Sequence, residues 1–96
     1  MSPVKQKKLS NLRNQLDKLD NSFIKLIKKR TYLVNQVIKL KDYKNQIIDK
    51  KRIKIILNRI KRKSIKNNID PKITNRIWKN MIWSYINYEK RNFKKK

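Results

Sequence analysis

Apolar residues recur along the first forty positions at alternating intervals of three and four: Leu9, Leu12, Leu16, Leu19, Phe23, Leu26, then Leu33, Val37 and Leu40. Such spacing draws one stripe along an α-helix. The pattern predicts a first helix that starts near Lys7–Ser10 and runs past Lys41, about 35 residues forming a rod ~50 Å long. A rod of that length exceeds what the rest of a 96-residue monomer can cover. Asp42 to Ile48 is expected to be a loop. A second stripe, Ile53, Ile56, Leu57 and Ile60, follows Asp49, whose carboxylate can cap the helix that begins there. Asn67 and Asn68 should end it, because Asn is the usual substitute for Gly in a left-handed terminal position. Asp70 as N-cap and Pro71 in the first helical position open a third helix. Its inner face is expected to be Ile73, Ile77, Met81, Tyr85 and Tyr88, and it should persist to about Phe93. No segment alternates with period two and no internal repeat appears. The expectation is an all-α chain, one domain over 1–96, with one long helix and two shorter ones at 8–43, 50–67 and 71–92.

Size and composition narrow the ways such a chain can be stabilised. Domains this small are marginal as single cores and often lean on disulfides, metals or oligomerisation. Cys and His are both absent, which leaves no disulfide and removes the usual ligands of transition metals. Oligomerisation is the support that remains. No apolar run is long enough to span a bilayer, and Met1 to Lys8 has no hydrophobic signal core. A cytoplasmic protein without membrane contact is expected, with no further domain fused to it.

The formal charge is +23, which invites a nucleic-acid partner. Two features weaken that reading. Lys, Ile and Asn make up 49 of the 96 residues while Gly and Ala are absent, a bias that A/T-rich codons produce by themselves. The lysines also spread over the whole chain, with denser runs at Lys50–Lys54, Lys61–Lys66 and Lys94–Lys96. A solvated surface accounts for them better than a nucleic-acid footprint does. A strong positive field still draws in small anions.

Arg30 interrupts the first stripe, and Lys41 stands one place beyond its end. Eleven residues are almost three helical turns, so both side chains would share a face, ~16 Å apart along the axis. A charge on a buried seam is costly unless paired, and only six carboxylates serve 29 cations. Either the seam opens to solvent here or an anionic ligand completes it. Arg13 lies 17 residues before Arg30, ~25 Å away on the same helix and too far for both to grip one small ligand. It is a surface residue, or an antiparallel partner in a two-fold dimer brings a second copy of it near Arg30. Glu89, the only glutamate, lies in line with Trp78, Ile82 and Tyr85. It reads either as a surface carboxylate beside Lys90 and Arg91 or as an inward one.

The order of these segments, "LRNQLDKLDNSFIKLIKKR", "KLK", "DKKRI" and "IDPKITNRIWKNMIWSYINYE", resembles the all-helical class of chorismate mutases from about Leu12 to Glu89. The "LR..LD.LD" opening and its later arginine carry most of that resemblance. It implies an intertwined helical homodimer and a dianionic substrate, chorismate, rearranged to prephenate in aromatic amino-acid biosynthesis without metal or cofactor. It also implies roles. Arg13 would cross the interface to bind a substrate carboxylate in the partner's site, and Arg30 would bind carboxylate within its own chain's site. Lys41 would contact the ether oxygen and a carboxylate. Asp49 and Arg52 match the first and third elements of the "D..RE" motif that opens the second helix. Glu89 matches a late polar position that is Gln in many members and Glu in some.

There are departures. Ile53 stands where the motif has a glutamate that contacts the substrate hydroxyl, and Tyr85 stands where a serine is frequent, with Ser84 beside it. Isochorismate-pyruvate lyase shares the fold and also lacks that glutamate, and its "WY" pattern is loosely echoed by "WSY". It is therefore the alternative activity, and a basic nucleic-acid-binding protein is the non-enzymatic one.

Overall fold

The computed structural model describes residues 1–94. The lysine run that closes the chain lies outside them from Lys95 on. The described residues form three helices, α1 (Pro3–Leu40), α2 (Lys50–Lys66) and α3 (Pro71–Asn92), with one 3₁₀ turn at Lys44–Gln46. The described residues contain no strand. The fold is all-α, with one long helix and two shorter ones.

Helix boundaries follow from local capping chemistry. Asp49 accepts the backbone N–H of Arg52 at 2.9 Å and starts α2. Asp70 accepts that of Lys72 at 2.9 Å, and Pro71 takes the first position of α3. The end of α2 is a Schellman motif. Asn68 sits at φ 56°, Ile69 N–H reaches Ser64 O at 2.8 Å and Asn68 N–H reaches Ile65 O at 3.2 Å. Asn67 also returns its side-chain amide to Lys63 O at 2.7 Å.

Two expected boundaries need correction. α1 begins at Pro3, several residues before Lys7–Ser10, because Ser2 caps it: Ser2 Oγ accepts the Lys5 N–H at 3.2 Å. "Ser-Pro" is the same start signal as "Asp-Pro" in α3. α1 also ends at Leu40, so Lys41 stands just past the helix, its N–H bonded to Ile38 O at 3.2 Å. The premise that Lys41 shares a helical face with Arg30 therefore fails.

The described residues divide into two units, residues 1–33 and 34–94. Unit 1 consists of the first eight turns of α1 and the two residues before it. Its stripe is uncovered: Leu12, Leu16, Leu19, Phe23, Leu26 and Leu33 are each more than half exposed.

Unit 2 holds the core. α2 and α3 pack together around Ile47, Ile82 and Ile86, with Ile48, Ile53, Ile56, Leu57 and Phe93 against them. Each isoleucine buried this way contributes about 1.5–3 kcal/mol. Ile47, only 3% exposed, belongs to the segment expected as a plain loop. Gln46 pins that segment: its Oε1 accepts the N–H groups of Asp42 at 2.8 Å and Tyr43 at 2.9 Å. Where α2 turns into α3, buried Ser64 shares a 2.6 Å hydrogen bond with Thr74.

The inner face of α3 also differs from expectation. Ile82, Ile86 and Glu89 are buried, Met81, Tyr85 and Tyr88 are half-buried, and Ile73 and Ile77 are 57% and 52% exposed. α3 carries apolar residues on more than one side, so its own period does not choose the face. Packing on α2 and on Ile47 makes the choice.

Candidate active site

Glu89 is the most telling polar group in unit 2. It is 7% exposed, although its neighbours Lys90 and Arg91 lie in solvent. The surface-carboxylate reading is therefore overturned. A carboxylate at that depth costs several kcal/mol unless it is paired. Its partner is Lys41, whose Nζ lies 3.3 Å from Glu89 Oε1. The same ammonium reaches the carbonyl oxygen of Ile47 at 3.5 Å, the outer limit of a hydrogen bond. Forty-eight residues separate the two charges in sequence. They meet because α1 ends one residue before Lys41 and α3 turns Glu89 inward beside Ile86.

Around this pair the other expected residues fall into two groups. Asp49 and Arg52 are exposed at the start of α2, joined by the capping bond. Lys41 and Asp49 line one open depression with Leu40, Gln46, Ile48 and Lys50. Ile53 is half-buried and packs on the Ile47–Ile82–Ile86 core. An aliphatic side chain there contributes packing but no hydrogen-bond acceptor. Tyr85 is half-buried, its ring edge-on to Tyr88 at 6.3 Å and 87°.

Arg13 and Arg30 belong to unit 1, where Arg13 is exposed and Arg30 half-buried on α1. One helix holds both, seventeen residues apart.

One contact does not follow from the apolar periodicity. Tyr88 Oη donates to Asn35 Oδ1 at 2.8 Å, tying α3 to the last turns of α1. Its signals were a polar residue one turn before buried Ile38 and a tyrosine adjoining Glu89.

A cation and a carboxylate held together in a largely desolvated place can recognise a polar anion and donate to an oxygen on which charge grows. Comparison with known families bears on that chemistry directly. The model of chorismate mutase type II matches residues 12–90. The chain belongs to the chorismate mutase type II family. No curated protein and no solved structure matches it. Membership supplies the activity, rearrangement of chorismate to prephenate, and makes chorismate the substrate. The described helices include none long and apolar enough to cross a membrane.

Proposed function

We propose that this chain performs the family reaction at a site built on Lys41 and Glu89 and completed by arginines from two copies of the chain. The observation that carries the reading is the desolvated Lys41–Glu89 pair. It joins two positions that a mutase of this class would use, 48 residues apart within the matched region.

The reaction is an intramolecular, pericyclic rearrangement in which one bond forms as another breaks. No nucleophile is needed. The site must hold a flexible dianion in a compact chair-like form and stabilise negative charge growing on the ether oxygen. Arg13 of one copy and Arg30 of the other supply planar, bidentate grips for the two carboxylates. Lys41 donates to the ether oxygen and acts mainly on the transition state, which is where a donor raises kcat. Glu89 serves as a second donor only in its protonated form.

Homodimerisation is part of the proposal. A single helix gains little stability without a packed face, and unit 1 exposes six large apolar residues along one stripe. A second copy that lays its own stripe there would bury both, and a two-fold arrangement would carry Arg13 into the partner's site. Action in the cytoplasm fits a small polar substrate and helices that do not span a membrane.

The test is direct. Incubation with chorismate should consume its absorbance and yield prephenate, while isochorismate should yield no pyruvate. Intact chorismate after prolonged incubation with folded protein overturns the reading; release of pyruvate from isochorismate transfers it to the lyase.

A further inference from the structure

Lys41 lies beyond the last residue of α1, so the place of its ammonium depends on where the end of that helix sits along α3. Apolar packing fixes this register weakly. Ile38 is the only residue of α1 that is buried, and hydrophobic contact is non-directional. The Lys41–Glu89 contact cannot fix it alone, since 3.3 Å is long for a charge-assisted hydrogen bond, commonly about 2.7–2.9 Å. A short directional bond does join the two helices, Tyr88 Oη to Asn35 Oδ1 at 2.8 Å. Its donor is itself aimed, because Tyr85 meets the Tyr88 ring edge-on. Asn35 is six residues before Lys41, and Tyr88 adjoins Glu89.

We propose that Asn35 and Tyr88 form a positioning pair that sets the register of the Lys41–Glu89 couple. The kinetic consequence rests on the mutase reading above; the structural one does not. Removing the hydroxyl in Tyr88→Phe keeps the ring and its packing but frees the end of α1. A donor misplaced by a fraction of an ångström loses transition-state stabilisation more than substrate binding. The expected effect is a kcat lowered about tenfold with KM nearly unchanged.

Glu89 is the only glutamate, so ¹³C-labelled glutamate gives a single side-chain carboxyl resonance that reports on it alone. In Tyr88→Phe, at neutral pH and without substrate, that resonance should move from its parent position. Asn35→Leu should move it likewise. Asn35→Asp, which keeps an acceptor oxygen, should restore both the resonance and kcat toward the parent. Tyr88→Phe combined with Asn35→Leu should be no worse than either change alone, as expected of one shared contact.

An unmoved resonance in folded Tyr88→Phe, or a parent-like kcat with only a lower melting temperature, overturns the inference by reducing the bond to a structural one. Should Tyr88→Phe fail to fold, Asn35→Leu against Asn35→Asp decides the same question from the other side. A parent inactive on chorismate overturns the mutase reading, and the resonance then decides the positioning pair independently.

Discussion

The two units of this chain use the same apolar vocabulary to opposite ends. In residues 34–94, isoleucines from a short loop and two helices close on one another, and a carboxylate is drawn in with them beside Lys41. In residues 1–33, a longer stripe, from Leu12 to Leu33, is left more than half exposed. Periodicity therefore marks a face that needs covering, without saying what covers it. Within unit 2 the cover is the chain itself. For unit 1 the proposed cover is a second copy.

Changes to unit 1 should have the largest effect on that contrast. Leu19→Asp together with Phe23→Asp places charges in the middle of the stripe. The expected outcome is loss of the dimer in analytical ultracentrifugation, a fall in helical circular dichroism as α1 frays, and loss of turnover. A dimer of unchanged stability would remove the stripe from the interface.

Next comes the pair in unit 2. Lys41→Met keeps much of the side chain's bulk but removes the donor, and kcat should fall by about 10²–10³. Oligomeric state should be unaffected, which separates the two regions experimentally. Glu89→Gln is milder, because an amide can still donate. Glu89→Gln should lower kcat less than Lys41→Met does; a loss as large as that of Lys41→Met contradicts the donor role.

The smallest effects belong to the caps that frame α3. Asp70→Ala removes the acceptor for the Lys72 N–H and should cost about 1 kcal/mol in a melting experiment, with kcat unchanged.

Those caps were also the most legible features of the sequence. Asp49, Asp70 with Pro71, and the Asn67–Asn68 stop act within four residues of themselves, so local chemistry determines them. Ser2 with Pro3 carries the same signal, masked by a first stripe residue that lies further on. The inner face of α3 was less legible. Ile73 and Ile77 on one side compete with Ile82 and Ile86 on another, and only packing on α2 and Ile47 decides between them. Ile47 itself was hidden in a loop whose fold depends on the Gln46 side chain. Of the site, Lys41 and Glu89 could be named singly. Their meeting across 48 residues is a product of tertiary structure, and so is the Asn35–Tyr88 bond.

The central claim is that the bare unit of one copy completes the site carried by the other. Mixing two inactive variants tests it most directly. Arg13→Ala lacks the crossing arginine, and Lys41→Met lacks the resident donor. Each alone should turn over chorismate hardly at all. After exchange of subunits, half of the dimers carry both changes, one per copy, and one of their two sites is intact. Chorismate turnover should then recover to roughly a quarter of the parent's, as statistical pairing of a two-fold dimer requires. A mixture as inactive as its components, with exchange of folded dimers demonstrated, would contradict a site shared between two chains.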